Sequence, residues 1–141
     1  MGYMRHLASQ HGTKKQLHVD SCGLHAHFLG SAPDQRMQSV AHRRGVFFDH
    51  RAQLFETAFF DLFQAIFGVT KEVVSHLRLL AHNEDSRAKV YLASDFSRQF
   101  RGLDIPDPYY LGDWGFEENW EMIEDCCLGI YEFFIMRSRS K

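Results

Sequence analysis

The stretch that decides the fold reads Asp104-Ile105-Pro106-Asp107-Pro108-Tyr109-Tyr110, followed closely by Gly115-Phe116-Glu117-Glu118. An aspartate between two prolines sits on a stiff loop. Each proline holds its own φ near about −65° and biases the residue before it toward extended backbone. A carboxyl held this way loses little entropy when it must point at one atom. The two tyrosines beside it offer faces to a flat ring. Taken alone, the motif also suits a proline-rich turn whose tyrosines pack on the core.

Outward from this loop, extended and helical signals alternate, which predicts an α/β fold with a parallel sheet. Lys89-Val90-Tyr91-Leu92-Ala93 reads as the strand leading into the loop, and residues 117–135 as the helix leaving it. Trp120, Ile123, Cys127, Ile130, Tyr131 and Phe134 give that helix its apolar face. Arg137, Arg139 and Lys141 follow its C-terminus, where positive charge is favoured. Residues 70–80 read as a helix with Val73, Val74, Leu77 and Leu80 inward. The apolar run Phe59–Phe67 is expected to be a strand buried on both faces, although its periodicity also suits a helix. Towards the N-terminus, residues 34–44 read as a helix that follows Pro33 and stops at Gly45. Residues 16–20 read as a short strand. Residues 3–11 read as a helix with Tyr3, Met4, Leu7 and Ala8 on one face and Gly12 as its stop. No linker, repeat or low-complexity tract divides the chain, so residues 1–141 are expected to be one domain.

Composition narrows the function. The 141 residues are 45% hydrophobic and 24% charged, with a net charge of −2. That balance suits a globular domain and gives no reason to expect nucleic acid or an anionic membrane as partner. No apolar run approaches the ~20 residues that span a bilayer, and the N-terminus lacks the apolar core of a signal peptide. Three unpatterned cysteines suit a reducing compartment, so a cytoplasmic location is expected. Cys126 and Cys127 read as small buried hydrophobes. His25 and His27 would share one side of a strand, but no ligand set completes a metal site. There is no glycine-rich nucleotide motif, and no cofactor is expected.

Several segments, in chain order, resemble the low-molecular-weight protein tyrosine phosphatase family. Asp104–Tyr110 resembles its acid loop, and Val19-Asp20-Ser21-Cys22-Gly23 its second strand and turn. Pro33-Asp34-Gln35-Arg36 resembles the segment before its second helix. Arg43-Arg44-Gly45-Val46 and His50-Arg51-Ala52-Gln53 resemble the following helix end and loop. Tyr3–His11 is similar to the middle and end of the helix after the family's phosphate loop. The resemblance covers roughly residues 3–134.

The resemblance implies a three-layer sandwich around a parallel sheet, and hydrolysis of phosphotyrosine proteins or small aryl phosphates through a phosphocysteine. It makes Asp107 the general acid and base, and Tyr109 and Tyr110 the aromatic walls that bind the substrate ring. Ser21 and His50 become supports of the phosphate loop. The family's nucleophile lies in a Cys-x5-Arg loop. In this chain the residues six positions beyond Cys22, Cys126 and Cys127 are Phe28, Glu132 and Phe133. The chain is therefore expected to be N-terminally truncated, without the first, central strand and without the nucleophile loop, and to be inactive by itself. A sheet lacking that strand is expected to leave a gap or to pair with another copy as a homo-oligomer. The family's usual Ala-Met-Asp after the third strand reads Ala65-Ile66-Phe67. A catalytically dead binding or regulatory domain is the alternative. Arsenate reductase and protein arginine phosphatase share the fold; the cysteines do not resemble the former, and the double tyrosine favours phosphotyrosine over the latter.

Overall fold

The computed structural model describes residues 2–10, 18–23, 35–46, 53–106 and 112–136. Its elements run α1 (Gly2–Gln10), α2 (Gln35–Arg43), α3 (Phe59–Leu62), β1 (Ile66–Gly68), α4 (Lys71–Leu80), α5 (Glu84–Ala88), β2 (Val90–Leu92) and α6 (Gly112–Tyr131). A 3-10 turn, Ala93–Phe96, follows β2, and α6 runs on into a π-helical turn, Glu132–Met136.

β1 and β2 pair in parallel, with Ile66, Phe67 and Gly68 opposite Val90, Tyr91 and Leu92. Alternation along a strand sends successive side chains to opposite faces. Ile66, Val90 and Leu92 pack with Phe60 and with Val74 and Leu77 of α4. Phe67 packs on the other face, with Met4 and Leu7 of α1 and Cys126, Cys127, Ile130 and Tyr131 of α6. Helices on both faces of a parallel sheet make the expected three-layer α/β arrangement. A third cluster, Val40, Ala41, Val46, Phe116 and Trp120, joins α2 to the start of α6.

Local chemistry explains the ends. Thr70 caps α4, its hydroxyl accepting the Val73 amide at 3.1 Å, and Asn83 caps α5 through the Ser86 amide at 2.8 Å. Both satisfy donors that a first helical turn leaves open. Gly45 ends α2 at φ 77°, and its amide and that of Val46 bond back to His42 and Ala41. A residue with a β-carbon is strained at that φ.

Three expectations are corrected. Phe59–Phe67 is not one strand: Phe59–Leu62 forms helix α3, and only Ile66–Gly68 is strand. Within this run Phe59 meets Phe63 edge-on at 5.7 Å, an i,i+4 contact that a helical turn makes and a strand does not. Phe55 closes on Phe59 and Phe60 at 5.6 and 5.3 Å. The expected strand 16–20 is described only from His18, and residues 18–20 form no strand. The Val19 carbonyl, which a sheet neighbour would occupy, instead accepts the Arg5 guanidinium at 2.9 and 3.3 Å. Among the described residues, the pairing in this region is one parallel bridge between Gly23 and Leu54, closed by Gly23 N–H to Gln53 O and Phe55 N–H to Gly23 O, both 2.8 Å. Among the described residues, no strand pairs with the second edge of β1. The last helix also starts at Gly112, five residues before its expected first residue.

Candidate active site

Ligands of open α/β sheets gather beyond the carboxyl ends of the strands. Here β2 leads through Ala93–Phe96 into the approach segment Leu103–Pro106, which runs directly up to Asp107. Four hydrogen bonds hold that approach. Ser94, fully buried, donates its hydroxyl to the Leu103 carbonyl at 2.5 Å. The Asp104 carboxylate accepts the Lys71 amide at 2.8 Å, at the N-terminus of α4, where negative charge is favoured. The buried Ile105 donates its amide to the Val69 carbonyl at 2.8 Å. Asn119 of α6, 3% exposed, donates its side-chain amide to the Pro106 carbonyl at 2.7 Å. The approach is thus tied to the end of β1, to α4, to the turn after β2, and to α6.

A second clamp lies just before it. The Asp125 carboxylate accepts the Ser97 hydroxyl in a short hydrogen bond and the amides of Arg98 and Gln99 at 2.8 and 3.1 Å. Burial opposes ionisation of Asp125, but these donors outweigh it and hold the carboxyl below its ordinary range. The Ser97 hydroxyl in turn accepts the Phe100 amide at 2.8 Å.

Asp107, Tyr109, Tyr110 and His50 lie outside the described residues. Ser21 is described and half-buried. The hydrogen bonds it makes use its backbone, the amide reaching its neighbour Asp20 and the carbonyl accepting Gln53 Nε2, both at 2.9 Å. The Gln53 bond holds the 18–23 turn against 53–55.

None of the three thiols has the environment of a nucleophile. Burial and then Cys127 push Cys126 up to about 12. Burial also pushes Cys127 up to about 11. Cys22 is exposed, and its thiol is raised by partial desolvation and by Asp20. A reactive thiol needs the opposite, a depressed value beside cations or helix amides. Among the described residues no three His, Cys, Asp or Glu side chains gather as a metal site. An open cleft lined by Lys71, Val74, Ser75, Arg78, Leu92 and Asp95 lies along α4 and contains none of the sequence-picked residues.

Phe67, where the resemblance places an aspartate, stacks on its register partner Tyr91 at 5.6 Å and meets Phe96 and Phe134 edge-on, each at 5.7 Å. An aromatic cluster occupies the position. Sequence reasoning also passed over Ser94 and Asn119. Asn119 carried a signal: it is three residues after Phe116 and four before Ile123, so it is a polar residue on the apolar stripe of α6.

The family model for low molecular weight phosphotyrosine protein phosphatase matches residues 2–135. A low molecular weight protein-tyrosine-phosphatase of Streptomyces coelicolor is 34% identical over 114 residues, 79% of this chain and 70% of that protein. The crystal structure of YfkJ from Bacillus subtilis superposes with a TM-score of 0.88 at 26% identity, covering 96% of this chain and 84% of its own. A protein tyrosine phosphatase structure from Entamoeba histolytica, with Hepes in the active site, superposes with a TM-score of 0.87 at 26% identity, covering 94% and 85%. With this match over nearly its whole length and a parallel α/β core, this chain belongs to the low molecular weight phosphotyrosine protein phosphatase family.

Proposed function

We propose that this chain carries the proton-transfer half of a phosphotyrosine phosphatase, with Asp107 as general acid and then general base. In the reaction, a thiolate attacks phosphorus and the bond to the tyrosyl oxygen breaks. Asp107 gives its proton to that oxygen. Water then attacks the phosphocysteine, Asp107 takes its proton, and phosphate and thiolate are released. Tyr109 and Tyr110 would wall the ring, and Ser21 and His50 would support the phosphate-binding side. The observation that carries this reading is the four-point anchorage of Leu103–Pro106, which brings a rigid backbone to Asp107. Phosphotyrosine proteins and small aryl phosphates are the substrates.

The 141-residue chain by itself is inactive on this reading, because its thiols are protonated at neutral pH and none has an arginine six residues on. Its free cysteines suit the reducing cytoplasm, and the edge of β1 that no strand among the described residues covers favours self-association, which sedimentation at several concentrations would read out. The functional test is an assay with p-nitrophenyl phosphate and a phosphotyrosine peptide, with and without vanadate. The chain alone should be silent. Fused behind a strand and Cys-x5-Arg loop from a family member, it should turn over substrate, and Asp107→Asn should abolish most of that rate. Vanadate-sensitive activity of the chain alone that is lost on replacing Cys22, Cys126 or Cys127 would overturn the reading.

A further inference from the structure

We infer that Asn119 is a positioning residue for the acid loop: by holding the Pro106 carbonyl, it sets the orientation in which Asp107 is presented. The inference rests on the reading of Asp107 as general acid.

The backbone before Asp107 has few soft dihedrals. The peptide unit that contains the Pro106 carbonyl also contains the Asp107 nitrogen, and it is planar. The proline ring holds φ of Pro106. Pro108 biases Asp107 itself toward extended conformations. The free rotation that remains upstream is ψ of Pro106, which swings the Pro106 carbonyl and the Asp107 amide together. The Asn119 amide grips that carbonyl at 2.7 Å. The other three anchors act earlier, on Leu103, Asp104 and Ile105, and reach the turn after β2, α4 and the end of β1. Among the described residues, Asn119 is the one that ties the approach to α6 at the last peptide before the acid. Its burial at 3% exposure keeps water from substituting for the bond.

The decisive variant is Asn119→Asp in the 141-residue chain. It keeps the shape, but near pH 8 an ionised carboxylate can only accept, and it would face a carbonyl. Near pH 5, a carboxyl kept protonated by burial and that carbonyl regains one O–H donor. The readout is amide hydrogen exchange of the peptide 103–111, compared with the parent chain at the same pH. Asn119→Asp should speed exchange there about 5-fold or more at pH 8 and return close to the parent at pH 5, with α6 changing less. Asn119→Ala should be loosened at both pH values. Loosening of Asn119→Asp that is equal at pH 5 and pH 8, or unchanged exchange in both variants, would overturn the inference. Should Asn119→Asp fail to fold at pH 8, Asn119→Leu keeps the volume and removes the donor. It must then loosen 103–111 while α6 stays protected, and a tight loop in that variant would overturn the inference. The general-acid reading is tested separately by Asp107→Asn in the fused, active form, and its failure would leave these exchange results unchanged.

Discussion

The carbonyl oxygen of Phe96 lies where a β-carbon on Gly129 would have to be: a Cβ built there comes within 1.7 Å of it. The turn after β2 therefore rests on the backbone of α6 itself. The obstacle is main chain and cannot rotate away. The same contact sets how far α6, and with it Asn119 and Asp125, stands from the acid-loop approach.

Gly129→Ala should accordingly cost about 3 kcal/mol or more, beyond what helix propensity returns. Urea unfolding of the variant beside the parent measures it. A neutral or stabilising result would mean that α6 is free to shift.

Asp125 accepts from Ser97, Arg98 and Gln99 at once. Asp125→Ala should cost roughly 1–3 kcal/mol, because three donors lose their acceptor. Since folding lowers the pKa of Asp125 from 3.8, its contribution is present above that value and is lost as pH falls through the folded one. The parent should thus lose more stability than the variant as pH falls below 3.8, and acid unfolding curves of the two would show it.

Alkaline stability should fall for a definite reason. Unfolded, the thiols ionise near 9.0; folded, Cys126 does so only near 12 and Cys127 near 11. Their stabilisation is complete below the unfolded value and is lost as pH rises towards the folded ones. Tyr3, raised by burial and then by Glu124 from 10.0 to about 12, adds to the same slope. Replacing both Cys126 and Cys127 by Ala should flatten the fall between pH 9 and 11, in thermal unfolding followed against pH. At pH 8, iodoacetamide should label Cys22 in the folded chain and reach the other two only after denaturation.

Phe67→Asp would restore the residue that the resemblance places after the third strand. Here it should destabilise by about 3–5 kcal/mol, since it removes ring contacts with Tyr91, Phe96 and Phe134 and buries a carboxyl among aromatics. Burial raises the pKa of such a carboxyl, so the penalty should grow from pH 5 to pH 8. Denaturant midpoints at the two pH values test both parts.

In the fused, active form, Asp107→Asn should lower kcat by roughly 10²–10⁴-fold for aryl phosphates with poor leaving groups, and by less where the leaving group needs no proton. Equal losses would count against proton donation. Tyr110→Ala should raise KM for phosphotyrosine peptides more than it lowers kcat, because stacking on the ring serves ground state and transition state alike.

Much of this protein is determined by sequence alone. The Pro-Asp-Pro-Tyr-Tyr motif and its companions in chain order identify the family, because they record chemistry that needs those residues at those spacings. Helices α1, α2, α4 and α6 are legible because each buries one face and repeats every three or four residues, and Gly45 marks a stop through backbone sterics that act locally. Other features are decided only by tertiary structure. Phe59–Phe67 is mostly apolar, so its pattern cannot choose between helix and strand; the choice goes with the burial of Phe60 against Val74 and Leu77 of α4 and Val90 and Leu92 of β2. Phe67 is aromatic in sequence, but its stacking partner exists only once the parallel register sets Tyr91 beside it. Gly129 reads as a flaw in a helix until the Phe96 carbonyl arrives from another element. Asn119 reads as a polar interruption of an apolar stripe until the chain brings the Pro106 carbonyl within hydrogen-bonding distance. Local pattern encodes what a residue is able to do, and the partner that makes use of it is supplied by contacts between segments far apart in the chain.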